Sequence, residues 1–228
     1  RLDAAASQLS RGTSLHDALE VGRYRADEVT AIHLSGIRSS TELRRALASG
    51  FCKTLSSARF TDAGWRQRDD EYWIILAAPF APPEPGRAGQ VEEQVLELVN
   101  RARADGRRCG RTWYPAAPPL RIEPLLHRAA LAHAREMARS SRLEHEDLDG
   151  SSPAVRVRRT GLTALSEVGE NIAGGPLSAQ EAVEGWLHSP GHCANLMNAN
   201  YAWMGVAFAV DERSELGINW AQDFAARY

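Results

Sequence analysis

Residues 185–206 read GWLHSPGHCANLMNANYAWMGV. His188 and His192 flank a Ser-Pro-Gly break, a cysteine follows at once, and an apolar, aromatic run leads toward a strand. Pro190 and Gly191 lie between the two imidazoles, so a shared helical face is not expected of them. Just upstream, residues 167–175 (EVGENIAGG) contribute Glu167, Glu170 and a tight glycine-rich exit. Together the two stretches point to a site built of histidines and glutamates.

Working outward, residues 178–187 have the pattern of a helix. Ser178 stands at its cap, Glu181 three residues on completes a capping box, and Ala182, Val183, Trp186 and Leu187 form its apolar side. Strands follow at 204–210 and 217–224, where a period of two puts Trp220, Gln222 and Phe224 on one face. Toward the N-terminus, Val91, Val95, Leu98 and Val99 keep the helical period through 90–104, and Gly106 is a natural stop. Residues 109–120 read as a proline-rich loop. Residues 122–140 are a second helix with Leu125, Leu126, Ala129, Ala132, His133 and Met137 along its apolar side. On that stripe His133 reads as a hydrogen-bonded core histidine. Residues 144–150 (EHEDLDG) form an acidic turn carrying His145. It lacks the alternating ligands and terminal glutamate of an EF-hand, so it reads as a solvated turn. Residues 153–160 suit a short basic helix.

The stretch 78–89 (APFAPPEPGRAG) interrupts every periodicity and reads as a linker. The chain then divides into a small α+β piece at 1–80, a Pro/Gly linker at 81–89 and a larger piece at 90–228. The small piece offers helices at 14–22, capped by Ser14, and at 40–49, with strands at 29–34 and 72–78. It also echoes the larger one. Residues 51–65 lie without gaps on 192–206, matching Cys52, Leu55, Ala58 and Gly64 to Cys193, Leu196, Ala199 and Gly205. With a short gap, 29–36 lie on 168–175, so Ala31 stands at Glu170 and Phe51 at His192. The small piece thus reads as a degenerate partial copy with the chemistry deleted.

Composition narrows the function. The chain has 228 residues, 43% of them hydrophobic and 25% charged, with a formal net charge of −2. No basic field recruits nucleic acid, and no apolar run is long enough to span a membrane. The start at Arg1 carries no information about compartment. The three cysteines, Cys52, Cys109 and Cys193, show no zinc-knuckle spacing. Their count fits one disulfide plus a free thiol, or three thiols. Cys193 adjoins His192, but sequence neighbours point apart, and Ser189 lacks a nucleophile elbow. His145, Glu170 and His192 come from three separate element ends, which is how a cleft is assembled, and imidazole with carboxylate suits zinc or another divalent ion. No HExxH helix fixes two ligands in one turn.

Several motifs in order carry a family resemblance: Gly169-Glu-Asn-Ile-Ala173, Ala182-Val-Glu-Gly-Trp186, Ser189-Pro-Gly-His192 followed by Ala194-Asn-Leu196, and Trp220-x-Gln-x-Phe224. Over 90–228 they resemble the bacterial branch of the CAP superfamily, the cysteine-rich secretory, antigen 5 and pathogenesis-related proteins, whose module is also called the SCP domain. The resemblance implies an α-β-α sandwich whose cleft carries two histidines and two acidic residues and often binds a divalent metal. His145, Glu170 and His192 match three of these positions. The second glutamate, expected after the Trp186 helix, is missing; Ser189 and His188 stand there, and His188 or Glu167 could substitute. Asn171 and Gln222 fall in the matching motifs beside the cleft. The resemblance further implies export and a Cys109–Cys193 disulfide, worth about 4–5 kcal/mol on the chain-entropy estimate, with Cys52 left over. The expected function is an exported, non-catalytic module binding a small apolar ligand, a lipid, an envelope component or a partner. The alternative is a zinc-dependent hydrolase with Glu170 as base.

Overall fold

The computed structural model describes residues 1–227. The chain forms two compact units, Arg1–Ala81 and Pro82 onward.

The first unit runs α1 (Leu2–Leu9), α2 (Leu15–Gly22), β1 (Ala26–Leu34), α3 (Ser40–Gly50), α4 (Cys52–Leu55), β2 (Asp62–Arg68) and β3 (Glu71–Pro79). Ser14 and Ser39 cap α2 and α3 by accepting from the backbone N–H groups of Asp17 and Glu42. The strands form an antiparallel sheet in the order β1-β3-β2. Ile75 and Ala77 of β3 meet Leu2, Ala5 and Ala6 of α1 and Ala18 of α2 in the core. Helix α1 is not among the expected elements. Its inward face is mostly alanine, which leaves little hydrophobic signal in sequence but lets the helix come down onto the sheet. A Cβ on Gly64 would lie 2.3 Å from the backbone carbon of Leu2.

The second unit contains α5 (Ala88–Ala104), β4 (Arg107–Cys109), β5 (Thr112–Tyr114), β6 (Arg121–Ile122), α6 (Pro124–Ser140), α7 (Pro153–Arg159), β7 (Leu165–Gly174), α8 (Ala179–His188), α9 (Pro190–Met197), β8 (Trp203–Val210) and β9 (Ile218–Arg227). Its main sheet has the order β6-β8-β9-β7; β6 is parallel to β8 and the other pairs are antiparallel. Helices α6 and α7 cover one face, where Leu126, Ala129, Ala130, Ala134 and Met137 meet Ile172, Ala207, Ala221 and Ala225. Helices α5, α8 and α9 lie on the other, with Trp186, Leu196, Met197, Val206, Trp220 and Phe224 buried. The result is the expected α-β-α sandwich. Its tightest contact is at Gly205, where a Cβ would stand 2.0 Å from the backbone nitrogen of His127 on α6.

Three local readings change. Pro190 does not break structure but occupies the first turn of α9, where a missing N–H costs nothing and a fixed φ helps. The loop expected at 109–120 begins with a short hairpin, β4–β5. Helix α5 takes in residues 88 and 89, which the sequence leaves in the linker, after a 3-10 turn at Pro85–Arg87.

Candidate functional site

The site is built across β7, an outer strand of the sheet. Side chains alternate along a strand, so Glu170 and Asn171 point to opposite faces and each organises its own side.

On the α6–α7 side the Glu170 carboxylate is buried and fully engaged. Oε1 bonds to His145 Nδ1 at 2.7 Å, and Oε2 accepts from Arg156 Nη2. The same guanidinium donates through Nη1 to the carbonyls of His145 (2.8 Å) and Ser151 (3.0 Å) and to Asp147 Oδ1 (3.2 Å). His133, buried on α6, bonds through Nδ1 to Asp147 Oδ1 at 2.7 Å, as a core histidine should. Its Nε2 stands 3.8 Å from Glu170 Oε2, too far for a hydrogen bond. Behind them lies Asp223, paired across the strands with Glu170 and 0% exposed. Burial, reinforced by the negative charge of Glu170, pushes the Asp223 carboxyl well above the usual carboxylate range.

On the other side Asn171 fastens α9. Its Nδ2 donates to the His192 carbonyl (3.3 Å) and to Gln222 Oε1 (3.2 Å), and its Oδ1 accepts from Asn195 (3.0 Å). Asn195 also donates to the Glu170 carbonyl at 2.9 Å. The Cys109–Cys193 disulfide, with Cα atoms 5.4 Å apart, ties α9 to the β4–β5 hairpin. Arg103, at the end of α5 and 0% exposed, donates to the carbonyls of Leu196 (2.6 Å) and Asn198 (3.0 Å) at the C-terminus of α9, where a cation is favoured. Burial lowers its pKa to about 10. Held this way, His192 is half-buried, and burial followed by the nearby His145 charge depresses its pKa. His145 moves the opposite way, raised chiefly by its bond to Glu170. One imidazole is tuned toward its charged form and the other toward its neutral form.

Of the expected site residues, His145 and Glu170 touch directly, His192 lies within electrostatic reach of His145, and Asn171 and Gln222 are buried on the opposite face of the sheet, bonded to each other. The others are elsewhere. His188 is exposed and bonds back to the Glu184 carbonyl of its own helix at 2.7 Å. Glu167 is held by Asn198 (2.7 Å) and Asn200 (3.1 Å), bracing the loop after α9. The Ser189 side chain makes no capping bond. Sequence reading missed Arg156, Asp147, Asp223 and Asn195. Arg156 is one of several arginines in the short basic helix expected at 153–160, with nothing to single it out, yet it is 5% exposed. Asp147 points inward from a turn expected to be solvated. Among the described residues, the group of three histidine, cysteine or carboxylate residues whose ligand atoms all lie within 4.8 Å of one another is His16, Asp17 and Glu20 on α2, all exposed. His145, Glu170 and His192 do not form such a group.

A separate cavity of about 340 Å³ opens between α5, α6 and β8. Val91, Leu131, Phe208 and Trp220 supply apolar wall, and Glu92, His127 and Arg135 the polar part.

Residues 96–224 match the model of the cysteine-rich secretory protein family, CAP. The chain belongs to the CAP family. It is 28% identical over 143 residues to the uncharacterized protein YkwD of Bacillus subtilis, covering 63% of this chain and 50% of that protein. It is 30% identical over 160 residues to the uncharacterized membrane protein YlbC of the same organism, covering 67% and 43%. The chain thus spans about half the length of the curated relatives it matches. Among solved structures it is similar to an extracellular SCP-domain protein of Bacillus anthracis, with 16% identity, a TM-score of 0.51, and coverage of 93% of this chain and 71% of that one. An outer surface protein of Borrelia burgdorferi matches with 20% identity and a TM-score of 0.46, covering 60% and 89%. No helix among the described residues is long and apolar enough to cross a membrane.

Proposed function

We propose that the CAP unit is an exported, non-catalytic module that binds a small apolar ligand, with the His/Glu cleft acting as a rigid, charge-balanced support. The observation that carries this is the state of Glu170. Both of its oxygens are taken, one by His145 and one by Arg156, inside a buried ring closed by Asp147 and His133. A general base needs a free carboxylate near water, and a catalytic zinc uses three protein ligands with an open position. The cleft offers a metal the free Nε2 of His145 and the His192 imidazole. Glu170 is buried with both oxygens hydrogen-bonded, and its ligand atoms do not converge with those of His145 and His192 into one group of three, which argues against a catalytic metal here. The ligand reading is supported by the cavity beside β8, whose volume and mixed walls suit a small apolar molecule with one polar end. Export is supported by the disulfide, which persists in oxidising compartments.

The competing reading, a metal-dependent hydrolase, has one observation in its favour: His192 is held toward the neutral form that metals require. Calorimetric titration of zinc into the protein and into His192→Ala and Glu170→Ala variants separates the two. The binding-module reading expects no stoichiometric zinc site and no chelator-sensitive esterase or protease activity. It also expects a fluorescent fatty acid to bind and to be displaced when Leu131→Trp fills the cavity. One zinc per chain, lost in both variants and accompanied by turnover, would establish the hydrolase instead.

A further inference from the structure

The two units share a plan that neither shows alone. In sheet order β1-β3-β2 and in β7-β9-β8, the first strand of the segment lies beside the third and the third beside the second, all antiparallel. The registers agree. Ile75 faces Ala31 and Gly64, and Asp223 faces Glu170 and Gly205. Each glycine receives a helix, Gly64 the backbone of Leu2 and Asp3, Gly205 the backbone of Leu126 and His127. After the first strand of each segment comes a glycine with positive φ, Gly36 at 76° and Gly175 at 99°. Three residues later Ser39 and Ser178 cap α3 and α8 by accepting from Glu42 and Glu181. The carboxylates of those glutamates in turn accept from the N–H groups of Arg38 (2.8 Å) and Leu177 (2.7 Å). Paired register, paired close approach and paired capping make α1-β1-α3-β2-β3 a shortened counterpart of α6-β7-α8-β8-β9.

One element has no counterpart. In the second unit α5 covers the sheet face opposite α6, packing on α8, β8 and α9 with Val91, Val95 and Val99 buried. Among the described residues of the first unit nothing takes that place. Helix α3, the counterpart of α8, carries a Leu43-Ala46-Leu47 stripe but buries no residue completely. Trp65, at the position of Val206, is 58% exposed. A cavity of about 360 Å³ opens there, walled by Leu43, Ala63, Trp65, Tyr72 and Ile74. An amphipathic helix and an aromatic sheet face left open together are the mark of a docking surface.

We propose that this face binds an amphipathic helix of a partner protein, with the chemistry of α5: short branched apolar residues at i, i+4 and i+8, and an acidic flank. The counterpart face says what shape fits, since α5 lays three valines on it. Charge agrees. Arg44 and Arg45 on α3 are exposed and make no ion pair among the described residues, while the exposed part of α5 is acidic, with Glu93 and Glu97. Recognition is then helix-in-groove, read by small anchors one turn apart.

The test uses the full chain and a synthetic peptide of the α5 sequence, residues 88–104. The Trp65 indole N–H signal is assigned by its loss in Trp65→Phe and followed by NMR as peptide is added. The expected result is a saturable shift of that signal. It should disappear with Leu43→Asp, whose fold is checked by circular dichroism, and with a peptide in which the three valines are aspartates. No shift up to millimolar peptide, or a shift indifferent to Leu43→Asp, overturns the proposal. So does concentration-dependent self-association that Trp65→Asp abolishes, since the occupant would then be a second copy of this chain.

Discussion

Replacing Arg156 by methionine isolates the interaction at the centre of the site. The substitution keeps an unbranched chain of similar length but removes the cation from a group in which Glu170 is 5% exposed and Arg156 5% exposed. Glu170 loses its partner at Oε2, and the buried carbonyl of Ser151 loses a donor. Breaking a buried pair from one side costs about 3–5 kcal/mol, because the remaining charge is neither solvated nor matched. For a unit of this size about 2–4 °C accompanies each kcal/mol, so the melting temperature of the CAP unit should fall by roughly 6–20 °C. Glu170→Gln added to Arg156→Met removes the orphaned charge and should recover much of the loss, giving a coupling of about 2 kcal/mol or more in a double-mutant cycle. Scanning calorimetry is the suitable assay, since the two units need not melt together. An Arg156→Met cost below about 1 kcal/mol, or strict additivity with Glu170→Gln, would refute the claim that Arg156 pins Glu170.

The same reasoning gives four further expectations. Gly205→Ala sets a Cβ against α6 backbone, which cannot rotate away as a side chain can, so it should destabilise the CAP unit by about 3 kcal/mol or more in chemical denaturation. Removing the disulfide with a Cys109→Ser, Cys193→Ser pair opens an 84-residue separation and should cost about 4–5 kcal/mol, whereas Cys52→Ser, at an exposed thiol, should leave the melting temperature unchanged. Asp223 has a raised pKa, so its contribution is fully present below the ordinary carboxylate range and is lost as pH rises; Asp223→Asn should stabilise at neutral pH, with the advantage vanishing in acid melts. His145, also raised, stabilises below the ordinary imidazole range and loses that contribution as pH climbs through its folded value, while His192, depressed, does the reverse. His145→Gln and His192→Gln should therefore tilt the stability-versus-pH curve around neutrality in opposite directions, an effect muted at half-exposed His145 by solvent.

What could be read from the residues divides along physical lines. Periodicity and capping reported α8, α6 and the last two strands because each has a full apolar stripe or a Ser-x-x-Glu box of its own. Helix α1 escaped because alanine buries well but signals weakly. Pro190 misled because proline favours the first turn of a helix as strongly as it opposes the middle, and the two cases look alike without knowing where α8 ends. At the site, His145, Glu170 and His192 were legible through motif order. Arg156 and Asp147 were not, since whether a charged side chain on a short helix or turn faces water or the core is decided by the strand packed against it. His188 and Glu167 had the right chemistry and proximity in sequence, but local bonds to Glu184 and to Asn198 and Asn200 turn them to other tasks.

The first unit also bears on why the acidic network exists. At the matched register it places Ala31 where the CAP unit has Glu170 and Ile75 where it has Asp223. Counting from the paired contacts of Leu2 and Leu126, Leu9 stands where His133 does. The strand order and the helix-on-glycine contact survive with apolar residues at all three positions, so this sheet does not need buried charge to form. A buried ion pair contributes little or nothing to stability relative to a well-packed apolar replacement, and the upward pKa shift of buried Asp223 is a further cost at neutral pH. A network that adds little to stability, in a fold that can form without it, is accounted for by the arrangement of side chains it holds rather than by the fold. It fixes His145 beside His192 with opposite charge preferences, at the edge of a strand whose other face holds α9 in place.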